Sequence, residues 1–109
     1  MHELAITESI VSGVRERVGE SRVLRVILEV GKLSQFVPES IKFFFEVCAQ
    51  GTPLEGAALE FIEVAGRVRC RACAAELELQ DWIPLCPCGS AELEVLAGQR
   101  LLVKAVEVA

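Results

Sequence analysis

The sequence predicts an α+β fold in which a small mixed sheet carries two helices and a cysteine-rich module is inserted into the chain. Two helix-like periodicities alternate with β-branched runs, and four of the five cysteines fall in one stretch of different composition. A chain of 109 residues is long enough to bury about 65% of its unfolded surface in one domain. We therefore expect one main domain with one small insert.

Two amphipathic helices are predicted in the first half of the chain. The first has an apolar residue at every fourth position, at Ile6, Ile10, Val14 and Val18. It is expected to end near Gly19, because glycine is common just beyond the last helical turn. The second is predicted over residues 38–50, since Pro38 fixes φ at a helix start and Glu39 suits the positive end of the helix dipole. Its apolar face comprises Ile41, Phe44, Phe45 and Cys48.

Three β-branched runs predict the strands of the sheet. The run RVLRVILEVG precedes the second helix and places Arg25 and Glu29 on one parity. The other parity is apolar and holds Leu24, Val26, Leu28 and Val30. ALEFIEVAG follows the second helix, and RLLVKAVEV lies at the C-terminal end of the sequence. Each of these two runs is expected to form one strand.

The stretch between Gly66 and Gly98 differs from both of its flanks. It contains four cysteines, short strand-like pieces such as ELEL, and a turn-rich centre. Because strong strand signals lie on both sides, we expect a small module inserted between two strands of one sheet. The predicted division places 1–66 and 99–109 in the main domain and 67–98 in the module.

The spacing of the cysteines indicates a metal site. Cys70 and Cys73 form a C-x2-C pair, and Cys86 and Cys88 follow after twelve intervening residues. Two such pairs can place four thiolates at the corners of a tetrahedron, which is the geometry of a closed, structural Zn²⁺ site. A module of about thirty residues buries too little apolar surface to fold alone, so metal binding substitutes for a core. The module is therefore predicted to be zinc-ribbon-like.

The second cysteine pair requires a turn of the main chain. Cys86 and Cys88 are separated only by Pro87, and residues i and i+2 of an extended strand lie about 6.6 Å apart. Tetrahedral coordination needs sulfur atoms only about 3.8 Å apart. We expect Pro87 and Gly89 to supply the turn, because proline presets φ and glycine tolerates unusual dihedral angles.

The cysteines allow one alternative chemistry. Each pair could cycle between dithiol and disulfide, but redox motifs usually place a thiol at a helix N-terminus, and no helix signal begins at either pair. Zinc is therefore favoured over redox chemistry. Cys48 belongs to neither reading, because it lies on the apolar stripe of the second helix; we expect it to be a buried, inert thiol.

Composition and charge exclude several functional classes. The net charge is −5 and no block of lysine or arginine is present, which argues against a nucleic-acid partner. No apolar run could span a bilayer and no signal peptide is recognisable, so we expect no membrane partner and a cytoplasmic location. The sequence lacks a Gly-rich phosphate loop and a serine elbow, and a four-thiolate zinc has no open position for a substrate. An enzyme is therefore not expected.

The only histidine lies at position 2, directly behind the α-amine of Met1. This amine, the amide nitrogen of residue 2 and the imidazole of His2 can close fused chelate rings around one metal ion. Glu3 can add either its amide nitrogen or its carboxylate. Nitrogen-rich, near-planar coordination favours Ni²⁺ or Cu²⁺ over Zn²⁺. The alternative is a frayed terminus whose second residue happens to be histidine.

Together these motifs resemble the HypA/HybF family of hydrogenase-maturation nickel metallochaperones. The resemblance rests on MHE at the start, ELAITESIVSGV, EVGKLS, PESIKFFFE and the cysteine pairs ending in CPCGS, and it covers essentially the whole chain. It implies a nickel-binding domain in which the Met1 amine, His2 and Glu3 bind Ni²⁺ for transfer. It also implies a structural Zn²⁺ held by Cys70, Cys73, Cys86 and Cys88.

The resemblance further implies partners. Similar proteins act with a HypB-type GTPase and deliver nickel to the large subunit of [NiFe]-hydrogenase, and some also serve urease. Family members usually read C-P-x-C at the second pair, where this chain reads Cys86-Pro87-Cys88, so the geometry of this pair is expected to differ. Both a monomer and a homodimer are compatible with the sequence.

The alternative function is a zinc-ribbon adaptor that binds a partner through its module and transfers no nickel. Arg67, Arg69 and Arg71 alternate beside the first cysteine pair and could form a small basic edge. Five acidic residues between Glu76 and Glu94 oppose a nucleic-acid site there. An adaptor should ignore Ni²⁺ and the identity of residue 2, whereas a nickel carrier should depend on both.

Overall fold

The computed structural model describes residues 2–79 and 85–109, and for His2 the main chain alone. Within these residues two helices and six strands follow one another as α1 His2–Val18, β1 Val23–Gly31, α2 Pro38–Ala49, β2 Ala58–Val64, β3 Gly66–Cys70, β4 Glu76–Leu79, β5 Leu93–Ala97 and β6 Leu101–Val108. The predicted α+β class with two helices is confirmed. The predicted strand ELEL is β4, and β5 is a strand that the sequence pattern did not single out.

The six described strands form two sheets of three strands each. The first sheet has the order β2-β1-β6 and the second has the order β4-β3-β5. The three strands of the second sheet therefore lie, along the chain, between two strands of the first. In the second sheet β3 is antiparallel to both neighbours, and Val68 lies opposite Leu77 on one side and Val95 on the other.

The chain forms two compact units with very different cores. One unit consists of Met1–Leu28, Phe36–Ile62 and Leu102–Ala109, and the other of Glu29–Gln35 and Glu63–Leu101. The first unit contains both helices. Within the described residues, the buried apolar side chains of the second unit are Val30, Leu33, Val68, Cys70 and Cys86. Two of these five are cysteines, so the described part of the second unit has little apolar core of its own.

α1 has the amphipathic character that the sequence predicts. Its buried apolar residues are Ile10, Val11 and Val14. The helix ends beside Gly19, which adopts φ +63° and donates its N–H to the carbonyl of Arg15 at 2.9 Å. Neither described helix is long and apolar enough to cross a membrane.

α2 begins at Pro38 as predicted, but only part of its predicted apolar face is buried. Its buried side chains are Ile41, Phe45 and Ala49. Phe44 and Cys48 are only half-buried. The prediction that Cys48 is buried is therefore wrong. The inward-facing positions of α2 recur every four residues and end at Ala49, so Cys48 lies beside this line. Partial burial still raises the pKa of the Cys48 thiol, and the nearby Glu8 carboxylate raises it further.

β1 alternates as predicted only from Val26 onward. Its buried residues in that part are Val26, Leu28 and Val30. Leu24 was expected on the same face but is 51% exposed, whereas Val23 is 1% exposed. The predicted strand is present, and the exposure of Leu24 shows that alternation assigns a face without ensuring that another element covers it. On the opposite face Arg25 pairs with Glu107 of β6 and with Glu60 of β2, at 2.7 Å from Nη1 to Oε2.

Candidate metal centre

Four cysteine sulfur atoms converge in the second unit. The Sγ atoms of Cys70, Cys73, Cys86 and Cys88 all lie within 4.8 Å of one another. Cys70 Sγ lies 3.6 Å from Cys88 Sγ, and Cys73 Sγ lies 3.7 Å from Cys86 Sγ. Tetrahedral Zn²⁺ coordination requires a separation of about 3.8 Å, whereas a disulfide bond is about 2.05 Å long. The spacing therefore fits a four-thiolate metal site and does not fit disulfides.

The first cysteine pair is shaped by a tight reversal at the end of β3. The N–H of Ala74 donates to the carbonyl of Cys70 at 2.8 Å, and the N–H of Cys70 donates to the carbonyl of Ala75 at 2.8 Å. Ala74 adopts φ +62° to close this reversal. This reversal brings Cys73 back next to Cys70. A residue at positive φ was not predicted here, because alanine carries no turn signal.

The second cysteine pair is shaped by the turn that the sequence predicts. The N–H of Gly89 donates to the carbonyl of Cys86 at 2.8 Å, and Gly89 adopts φ +96°. The N–H of Cys86 donates to the carbonyl of Ser90 at 2.8 Å. The N–H of Cys88 points at Cys86 Sγ, 3.5 Å away. The shortened C-x-C spacing therefore still brings both sulfur atoms into the cluster.

The surroundings of the cluster stabilise the thiolate of Cys70 and destabilise the thiolate of Cys86. The main-chain N–H of Cys73, the N–H of Ala72 and the neighbouring thiols lower the pKa of Cys70 to about 6, although burial opposes this. A hydrogen bond from the N–H of Cys88 likewise lowers the pKa of Cys86. Burial and hydrogen bonds from the three other cysteines outweigh it, and they raise the pKa of Cys86 to about 12. Four thiolates can therefore coexist here only if a cation neutralises them.

Replacing Ala74 with valine is expected to weaken metal binding by the four cysteines about fivefold or more, with Zn²⁺ as the test ion. A β-branched residue at positive φ is strained by about 1 kcal/mol or more, and that strain is relieved when the reversal opens. Competition with a chromophoric zinc chelator measures the effect. Ala75→Val is the matched control, because Ala75 has no positive φ. Equal zinc affinities for Ala74→Val and the native chain would contradict the prediction.

The N-terminal end of α1 contacts the start of α2. Glu3 lies in the first turn of α1, and its Oε2 accepts a hydrogen bond from the main-chain N–H of Val37 at 2.7 Å. The sequence singled out Glu3 but not Val37, since a contact across 34 positions leaves no local signal. The predicted nickel ligands Met1 and the His2 imidazole lie outside the part of the chain that the structure describes.

Two arginines of the predicted basic edge, Arg67 and Arg69, are paired with one acidic residue. Arg67 Nη2 lies 3.2 Å and Arg69 Nη2 lies 3.7 Å from the carboxylate of Glu76. Arg69 also lies opposite Glu94 in the register of β3 and β5. Phosphate recognition needs uncompensated positive charge. The pairing therefore argues against a nucleic-acid adaptor.

Comparison with known proteins identifies the family. A family model described as "Hydrogenase/urease nickel incorporation, metallochaperone, hypA" matches residues 1–108. The chain belongs to the HypA family. It is 48% identical over 108 residues to the hydrogenase maturation factor HypA of Trichormus variabilis, covering 99% of this chain and 96% of that protein. It is 45% identical over 109 residues to HypA of Geotalea uraniireducens, covering 99% of each.

Comparison with solved structures shows that the chain has the HypA fold. The solution structure of the nickel metallochaperone HypA from Helicobacter pylori superposes with a TM-score of 0.71 at 16% identity, covering 97% of this chain and 96% of that one. The resemblance predicted from the motifs is thus confirmed. Because the HypA family and these relatives are named as metallochaperones and maturation factors, the prediction that the chain is not an enzyme is confirmed as well.

Proposed function

We propose that this chain binds Ni²⁺ at its N-terminus and delivers it for the maturation of [NiFe]-hydrogenase. The observation that carries the proposal is the match of residues 1–108 to a nickel-incorporation family, in a chain that begins with the potential chelate Met-His-Glu. The family description names urease beside hydrogenase, so urease is a second client in this proposal.

The proposed nickel ligands are the Met1 α-amine, His2 and Glu3, the last through either its amide nitrogen or its carboxylate. Amine and imidazole nitrogens suit Ni²⁺, and they must lose or lack a proton to bind it. A terminal chelate with few anchored ligands can pass its ion to a better site, which a closed cage of ligands cannot do readily. The nickel ion is thus cargo, and His2 is the residue on which its capture depends most.

The proposed zinc ligands are Cys70, Cys73, Cys86 and Cys88. Their sulfur separations suit a tetrahedral ion, and such a site would supply folding energy to a unit with a small core. We propose that the boundaries follow the sequence prediction, with a nickel-binding domain over 1–66 and 99–109 and a zinc-binding module over 67–98.

The proposed partners are a HypB-type GTPase and the large subunit of [NiFe]-hydrogenase, and the proposed compartment is the cytoplasm. Hydrogenase maturation is the process that the names of the family and of its relatives share. A carrier in this process must meet both a supplier and an acceptor of nickel.

Adding two residues before Met1 is expected to abolish nickel binding. The extension moves the α-amine away from His2 and so breaks the chelate rings. Calorimetric titration of zinc-loaded protein with Ni²⁺ at neutral pH should give one equivalent for the native terminus and none for the extended one. His2→Ala should also lose nickel binding while keeping its zinc and its helices.

Nickel binding that is unchanged by both the extension and His2→Ala would refute the assignment of the site. A native chain that binds no nickel would refute the carrier function itself. In that case the adaptor function would become the better account of the zinc module.

A further inference from the structure

We propose that the Glu3 carboxylate is a positioning group for the nickel chelate and not a nickel ligand. It stays hydrogen-bonded to the main-chain N–H of Val37 and thereby fixes the first turn of α1 to the start of α2. The inference rests on the proposed function, because it concerns the same N-terminal chelate.

The start of α2 has no side-chain cap of its own. Val37 is the N-cap residue, with φ −97° and ψ 114°, and its side chain makes no capping hydrogen bond. Its carbonyl accepts the first helical hydrogen bond, from the N–H of Ile41 at 3.1 Å. Its own N–H donates to Glu3 Oε2 at 2.7 Å. A carboxylate at this position is favoured by the hydrogen bond and by the helix dipole.

The main chain of Glu3 is held by a second hydrogen bond. The carbonyl of Glu3 accepts a hydrogen bond from the hydroxyl of Thr7 at 2.5 Å. Thr7 is 0% exposed, so its hydroxyl needs this acceptor. Glu3 is therefore anchored at both its carboxylate and its carbonyl, immediately beside the proposed ligand His2.

Anchoring of Glu3 is expected to raise the affinity of the chelate for nickel. Ligands that are ordered before binding lose less conformational entropy when the ion arrives, so the affinity is higher. Moving the carboxylate onto the ion would leave the Val37 N–H without this acceptor and α2 without its cap. Ni²⁺ gains little in return, because it prefers nitrogen donors while carboxylates suit harder cations. The carboxylate is therefore expected to remain on Val37 when nickel binds.

Glu3→Gln and Glu3→Ala separate positioning from ligation in the zinc-loaded chain with its native terminus. The glutamine can still accept a hydrogen bond from Val37, so its nickel affinity should stay within about threefold of native. The alanine loses the cap, and the affinity should fall about five- to tenfold. The d–d absorption spectrum of bound Ni²⁺ should be the same in all three chains. Glu8→Ala, which removes an exposed carboxylate elsewhere on α1, should bind nickel like the native chain.

Amide hydrogen exchange of Val37 gives a second and more direct measurement. Protection of this N–H should be unchanged when Ni²⁺ is added to the native chain. It should fall at least tenfold in Glu3→Ala, because the acceptor is gone.

Three results would overturn the proposal. Equal loss of affinity in both variants with a changed spectrum would make the carboxylate a ligand, and so would faster exchange of Val37 on nickel addition. Native nickel affinity in Glu3→Ala would show that Glu3 has only a structural role. Failure of the N-terminal site itself is recognised separately, because then the chain extended by two residues would bind nickel as the native chain does.

Discussion

Replacing Cys70 with serine is expected to abolish tight zinc binding and to unfold the sheet β4-β3-β5. Cys70 is fully buried at the end of the central strand β3, and its sulfur lies 3.6 Å from that of Cys88. Removing a residue that hydrogen-bonds to a metal ligand typically lowers metal affinity about 10–100-fold. Removing a ligand itself should therefore lower it at least about 100-fold. The described part of this unit has few other buried apolar side chains to hold the sheet together.

Elemental analysis and amide hydrogen exchange measure the two parts of this prediction. The variant should retain less than one zinc per chain after dialysis. The N–H of Val68, in the middle of β3, should exchange as in an unfolded chain, while that of Ile41 in α2 stays protected. Removing zinc with a chelator from native protein that has been loaded with zinc should have the same effect on Val68.

Cys48→Ser is the matched control for the loss of a thiol. Cys48 lies on α2, outside the cluster, so its replacement should leave the zinc content and the exchange of Val68 as they are. A Cys70→Ser variant that kept one tightly bound zinc would show that Cys70 is not a ligand. Equal zinc loss in both variants would point to general destabilisation.

Replacing Gly98 with alanine is expected to lower the free energy of unfolding by about 3 kcal/mol. Gly98 adopts φ +94°, and a Cβ atom on it would lie 2.5 Å from the Cα of Gly66 and 2.9 Å from the carbonyl oxygen of Ala65. A Cβ atom on Gly31 would in turn overlap the carbonyl of Gly98. These are main-chain atoms, which cannot move aside as the tip of a flexible side chain can.

The three glycines therefore mark a junction where main-chain segments of the second unit touch. Hydrogen bonds tie the junction together, from the N–H of Gly31 to the carbonyl of Arg100 and from the N–H of Leu33 to the carbonyl of Gly98, both at 2.8 Å. An added methyl group at Gly98 would have to lengthen some of these bonds. Strain at positive φ adds to the steric cost.

Thermal unfolding measures the effect, and Gly13→Ala provides the control. Gly98→Ala should lower the melting temperature by about 10 °C or more. Gly13 lies inside α1 with no atom within 4 Å of an added Cβ. Alanine there should stabilise the chain by about 1 kcal/mol, because glycine is a poor helix former. If Gly98→Ala melted at the native temperature, the close approach of the three segments would be wrong.

Short sequence patterns predict the parts of the fold that depend on residues close together in the chain. The start of α2 at Pro38 and the end of α1 near Gly19 follow from dihedral preferences of single residues. The turn at Cys86-Pro87-Cys88 follows from the distance that two metal-binding thiolates allow. The helical pattern fails at Cys48, because its exposure depends on elements that pack from elsewhere in the chain.

The sequence by itself determined the α+β class, the two helices, the cysteine quartet and the family resemblance, because residue type and short spacing carry these features. Only the tertiary structure decided that Glu3 meets Val37, that Ala74 takes positive φ and that three distant glycines touch. Such contacts join positions far apart in the chain or depend on the closure of a loop. Their free energy is realised only when the whole unit has folded, so no local pattern contains it.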